Sequence, residues 1–171
     1  MNSTPENDLS KQKINILLID DDGEECFFFA EALKSLNLNY NLSMANDCME
    51  LFDLLDLREV FNVIFLDINM PIKNGKECLK EIKSYKKFSH IPVIIFTVSQ
   101  YQKDIDDTYN SGAHYFVIKP DSKDKYVSTL KTIFDIDWTK SQPVPPKENF
   151  VINAGDFKAN GNTSYKKEFT D

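Results

Sequence analysis

Short unbroken apolar runs alternate along the chain with longer stretches in which apolar residues recur every three or four positions. Ile14 to Ile19 (INILLI) is the first run, and its length and composition predict a strand buried on both faces of a sheet. Asp22 follows, placed to cap a helix, with Glu25 three residues on as the partner in a capping box. Cys26, Phe29, Leu33 and Leu36 then carry helical spacing. Asn39 to Ala45 reads as a second strand of mixed polarity, and Cys48, Leu51, Phe52 and Leu55 as a second helix capped by Asn46 or Asp47. Val63 to Leu66 repeats the apolar run, and Asn74-Gly75 opens a helix bearing Cys78, Leu79 and Ile82. Ile91 to Phe96 predicts a fourth strand. A weakly anchored helix over about Tyr101 to Asn110 has only Ile105 and Tyr109 as apolar contacts. Tyr115 to Ile118 is a fifth strand, and Val127, Leu130, Ile133 and Phe134 mark a last helix.

Strands alternating with helices imply parallel pairing and right-handed crossovers. The expected fold is therefore α/β: a five-stranded parallel sheet in the flavodoxin-like order 2-1-3-4-5, with helices on both faces. The domain spans residues 13–138, with Trp138 packing at the end of the last helix. Residues 1–12 read as a disordered lead-in. From 139 to 171 the chain is polar and aperiodic, stiffened by Pro143, Pro145 and Pro146, and is expected to be a disordered tail.

Composition narrows the classes of function. The 171 residues suffice for one domain with a real core. No apolar stretch is long enough to span a membrane, and the polar N-terminus lacks a secretory core. A net charge of −7 argues against a nucleic-acid surface. Cys26, Cys48 and Cys78 are odd in number, widely separated and at apolar positions, so they read as small buried hydrophobes rather than disulfides or ligands. A reducing, cytoplasmic setting follows from that reading. Two histidines, His90 and His114, are too few to support a zinc site or a histidine-based catalytic set.

Open parallel sheets bind ligands beyond the carboxyl ends of their strands. There the chain carries Asp20 and Asp21 after the first strand, Asp67 after the third, Thr97 after the fourth and Lys119 after the fifth. A single strand-terminal aspartate is usually a cap or a turn residue. Three carboxylates converging on one edge repel one another and call for a cation. Mg²⁺ takes oxygen ligands while keeping water for an incoming phosphate. Lys119 and Thr97 would supply a charge and a hydrogen bond to the same anion. Such a site suits phosphoryl transfer, in which a carboxylate can be the nucleophile. Asp67, alone at the central strand, is the best nucleophile, and the Asp20–Asp21 pair the better metal carrier.

The segments LLIDDD (17–22), FLDINMPIKNG (65–75), VIIFT (93–97) and FVIKP (116–120) resemble, in order and spacing, the signature blocks of bacterial response-regulator receiver domains of the CheY-like superfamily. The resemblance covers roughly residues 13–136. Its details are similar to the single-domain receivers that pair with phytochrome-type histidine kinases. It implies that Asp67 takes a phosphoryl group from a kinase phosphohistidine. It further implies that Asp20, Asp21, Asp67 and the backbone carbonyl of Asn69 hold Mg²⁺, and that Thr97 and Lys119 bind the phosphate. Phe116 stands at the aromatic switch position, without the hydroxyl of the frequent tyrosine, and Lys119-Pro120 is expected to be cis. Implied partners are a sensor histidine kinase or a histidine phosphotransfer protein, and a second copy of the chain. No nucleic acid, membrane or external substrate is implied: the domain would assist only its own phosphorylation and dephosphorylation. The output would run through the face formed by the fourth helix, fifth strand and fifth helix.

Three other functions compete on the same fold. A flavodoxin-like redox protein would need phosphate-binding backbone donors after the first strand, where this chain has DDDGEE. An unphosphorylated adaptor would have lost one of the site positions, and none is missing. A metal-dependent hydrolase would need a further acid or base near Asp67, and none is visible.

Overall fold

The unbroken apolar runs become the inner strands of a parallel sheet. The structure, a computed structural model, describes residues 13–57, 60–71 and 73–153. Five βα units run in order: β1 (Ile14–Ile19), α1 (Gly23–Lys34), β2 (Tyr40–Ala45), α2 (Cys48–Asp56), β3 (Val63–Leu66), α3 (Gly75–Ser84), β4 (Val93–Thr97), α4 (Gln102–Asn110), β5 (Tyr115–Ile118) and α5 (Lys123–Phe134). Within the sheet they lie in the order β2-β1-β3-β4-β5, all parallel, as their sequence alternation predicts.

Alternation along each strand divides the core in two. Ile16, Leu18, Val63, Phe65, Ile94, Phe96 and Val117 meet α1 and α5 on one face. Leu17, Ile19, Ile64, Leu66, Val93, Ile95 and Phe116 meet α2, α3 and α4 on the other. The helices start where short polar side chains cap them: Asp22 accepts from the backbone of Glu24 and Glu25, Asp47 from Met49 and Glu50, and Asn74 from Lys76. Glu25 does not close the expected capping box. Its carboxylate instead accepts from the Tyr126 hydroxyl of α5, joining the two helices of that face. Trp138 is buried at the end of α5, its indole N–H donating to the Ile133 carbonyl at 2.8 Å. No described helix is long and apolar enough to cross a membrane.

Two features correct the expectations. Among the described residues the sheet has six strands, because β6 (Val151–Ile152) pairs in parallel with β5, preceded by a 3-10 turn over Lys147–Asn149. Residues 139–153 are therefore built onto the domain rather than forming part of a disordered tail. The average polarity of the region hides three consecutive apolar residues, Phe150 to Ile152, that find a ready-made edge on β5. Residues 1–12 and 154–171, read as disordered, lie outside the described residues.

The second correction concerns Cys48 and Cys78. Both are buried, as expected, but they are joined as a disulfide across 30 residues, linking the first turn of α2 to α3 with Cα atoms 5.9 Å apart. Packing of two helices against one sheet face brings the pair together, which linear spacing could not show. The pairing also withdraws the cysteine argument for a reducing compartment. Cys26 remains a free thiol.

Candidate functional site

Each residue at the site is delivered by the end of a strand. Asp20 follows β1 and is 2% exposed. One of its carboxylate oxygens accepts from the Asp22 backbone N–H at 3.0 Å. Asp21, beside it, is exposed. Asp67 follows β3, and its backbone N–H donates to the Ile19 carbonyl at 2.9 Å, so the β1 and β3 ends stay in step. Its side chain accepts from the Asn69 N–H at 3.0 Å. The Asp67 carbonyl leaves no room behind it: a Cβ on Gly75 would stand 2.0 Å from that oxygen and 2.7 Å from the Ile68 Cα. Glycine at the first position of α3 is what lets the helix begin this close to the acid.

The structure brings Asp20, Asp21 and Asp67 together, with carboxylate oxygens within 4.8 Å of one another. Lys119, at the end of β5, reaches back into this group. Its ammonium lies 2.6 Å from Asp20 and 3.2 Å from Asp67, with Glu25 at 3.9 Å. Burial pulls the Lys119 pKa down, but the hydrogen bond it donates to Asp20 and the charges of Asp67, Asp20 and Glu25 more than reverse this and leave it raised. Burial pushes the Asp20 carboxyl up, and the Lys119 bond only partly offsets that. One ammonium thus faces three carboxylates, and a fourth, Asp21, stands beside two of them. An all-oxygen donor set with surplus negative charge fits a hard divalent cation held by Asp20, Asp21 and Asp67.

Thr97 ends β4 and is fully buried. Its hydroxyl oxygen accepts from the Asn69 side-chain amide at 3.1 Å and from the Ser99 N–H at 3.3 Å. The Lys119 backbone N–H donates to the Thr97 carbonyl at 2.8 Å, pinning the last two strand ends together. Phe116, in contrast, does not join the polar group. It is buried on the α4 side of β5, where its ring leans on Phe150. Among the described residues no peptide bond is cis, so Lys119-Pro120 is trans, contrary to expectation. The ordinary trans preference holds there, and Lys119 is aimed instead by its β5 ladder bond and its two carboxylates.

Two participants escape a reading of strand ends. Glu25 enters through α1, where its spacing from Asp22 suggested only a cap. Asn69 enters through its side-chain amide rather than only through the backbone carbonyl read as a ligand. Their signal in sequence was position alone, within a few residues of a site aspartate.

A family profile described as the response regulator receiver domain matches residues 16–131. The chain belongs to that family. Among curated relatives, the probable transcriptional regulator ycf29 of Porphyra purpurea is 30% identical over 128 residues, covering 75% of this chain and 60% of its own length. The transcriptional regulatory protein ZraR of Klebsiella oxytoca is 32% identical over 123 residues, 71% of this chain but 26% of ZraR. The chain thus spans less than two thirds of either regulator. The response regulator Rcp1 of Synechocystis sp. is 28% identical over 61% of this chain and 75% of its own. Among solved structures, the phosphorylated cyanobacterial phytochrome response regulator RcpA superposes with a TM-score of 0.70 at 25% identity, over 79% of this chain and all of that one. The Mn²⁺-bound form of Rcp1 gives 0.67 at 24% identity, covering 78% and 99%, a likeness of fold. Receiver domains are the signalling domains of two-component systems.

Proposed function

We propose that this receiver takes a phosphoryl group on Asp67 in a Mg²⁺-dependent reaction and relays the event through its α4–β5–α5 face. A single observation carries the reading: the Asp67 carboxylate lies against the Lys119 ammonium at 3.2 Å and shares its pocket with Asp20 and Asp21. A carboxylate oxygen of Asp67 attacks the phosphorus of a phosphohistidine. The new P–O bond forms as the P–N bond breaks, and the departing electron pair returns to the imidazole of the kinase or phosphotransfer protein. Asp20, Asp21, Asp67 and the Asn69 carbonyl would hold the divalent ion, whose chemistry there would be positive charge for the transferring oxygens. Lys119 stands ready to pair with one of those oxygens. The Thr97 hydroxyl, now tied to Asn69 and Ser99, turns to donate to another.

The product bears more charge and more acceptors than the free aspartate, and only a shifted Thr97 and Lys119 satisfy them. That difference is what biases the two states. Helix α4 is the element suited to move: its sole fully buried residue is Thr108, and no side chain caps its start. The test is incubation with Mg²⁺ and acetyl phosphate. Label on the wild type that vanishes in Asp67→Asn supports the acceptor, and an unlabelled wild type refutes it.

A further inference from the structure

The segment after α5 crosses the face assigned above to output. The Tyr109 hydroxyl of α4 donates to the Pro145 carbonyl at 3.5 Å, and Lys147 pairs with Asp106 of α4 at 2.7 Å. The Phe150 ring stands edge-on to Tyr109, with centroids 5.0 Å apart, and leans on Phe116 at 6.3 Å. The Phe116 backbone N–H donates to the Phe150 carbonyl at 2.9 Å, and Phe116 and Val117 register with Val151 and Ile152. Phe150 joins the core on the α4 side and Ile152 the core on the α5 side, so the segment straddles the edge of the sheet.

This attachment is slight for its extent. The strand is two residues long, and between residues 139 and 153 only Phe150 and Ile152 are fully buried. A pairing so short holds only while its side chains keep their partners. Phe150 has two ring partners, and one of them, Phe116, lies on the same sheet face as Thr97. Ile95 registers with Phe116 and Thr97 with Ile118, and side chains two apart on a strand share a face.

We propose that residues 145–152 form a strap that masks the α4–β5–α5 edge while Asp67 is unmodified and lifts from it on phosphorylation, with Phe116 as the link. The proposal rests on Asp67 being the acceptor. Movement of Thr97 toward the phosphate opens space between β4 and α4 on the face that Phe116 shares. Phe116 turns into that space and away from Phe150. The strap thereby loses a ring contact and the strand edge it pairs with shifts beneath it. Because strap docking and phosphorylation then favour different states, each must weaken the other, and weakening the strap must favour the phosphorylated form.

The full chain is compared with and without Mg²⁺ and beryllofluoride, a phosphoryl mimic, by amide hydrogen exchange and by affinity for the mimic. The Phe116 amide, which donates to Phe150, is expected to exchange about tenfold faster or more in the mimic-bound protein. Phe150→Ala is expected to bind the mimic about fivefold tighter or more than wild type. Should Phe150→Ala fail to fold, Lys147→Ala removes the exposed ion pair to Asp106 and the ammonium's contact with the Tyr109 ring, and is expected to shift affinity in the same direction by a smaller factor. A Phe116 amide equally protected in both states overturns the strap, as does unchanged affinity in the variant that folds. Acetyl phosphate labelling separates the two ideas. With Asp67 labelled and Phe116 still protected, the strap alone falls; with no label, both fall.

Discussion

The Lys119 ammonium sits 2.6 Å from Asp20, closer than to the acid that ends β3, and both partners are almost entirely buried. Removing one member of a buried charge pair leaves the other uncompensated, at a cost of roughly 3–5 kcal/mol. Lys119→Met should therefore lower unfolding free energy by about that amount in urea titrations without divalent cation. A loss below about 1 kcal/mol would mean that the acids relax without the lysine.

A cation bound by the native acids alone must stabilise the fold by mass action. At a free Mg²⁺ concentration of 100 times Kd, the gain is about 2.7 kcal/mol. Thermal denaturation of protein stripped with chelator should rise in Tm on adding Mg²⁺. Asp21→Asn, which removes the exposed acid, should need more Mg²⁺ for the same rise. An identical response in wild type and variant would remove Asp21 from the ligand set.

His114, just before β5, gives a pH dependence remote from the acids. Burial, helped by the nearby Lys83 charge, pushes its pKa down from 6.5 to about 4 against the pull of the Gln142 carbonyl. Its Nδ1 accepts from the Val93 N–H at 3.4 Å, a bond that only the neutral ring can accept. The unfolded chain takes up this proton near pH 6.5 and the native state only near 4. Stability from this group is complete above pH 6.5 and is lost as pH falls towards 4, by roughly 3 kcal/mol in all. Urea unfolding at pH 7.5 and 4.5 should show a steeper acid loss in wild type than in His114→Gln. Equal slopes would show that the ring ionises freely in the native state.

Gly75→Ala tests the tight start of α3. The added methyl meets backbone on two sides, the Asp67 carbonyl and the Ile68 Cα, and neither is a side chain that can swing away. Overpacking typically costs about 1–3 kcal/mol, and here the upper end is expected because the backbone itself must shift. The same shift moves Asp67, so acetyl phosphate labelling should fall together with stability. A variant of wild-type stability would indicate that the loop before α3 yields freely.

Much of this molecule is legible in its sequence because much of it is local. Runs such as INILLI and VIIFT are apolar on both faces, and only a covered parallel sheet satisfies that. Once the strands are parallel, their ends share an edge, and Asp20, Asp21, Asp67, Thr97 and Lys119 gather there. What stayed hidden depends on distant partners. Glu25 caps nothing because the Asp22 N–H is donated to Asp20, and its own carboxylate accepts from Tyr126, 101 residues away. Cys48 and Cys78 meet only when two crossovers return to the same face. Phe150 to Ile152 form a strand because β5 presents an edge, a fact absent from their own neighbourhood.

The single rung from the Lys119 N–H to the Thr97 carbonyl has a consequence for signal quality. It joins the main chains that carry the two groups that would grip the phosphate, so a displacement of one strand end is felt at the other. It also makes the alignment of β4 with β5 part of the read-out, because a slip of one residue would turn Lys119 to the opposite face and disconnect the input altogether.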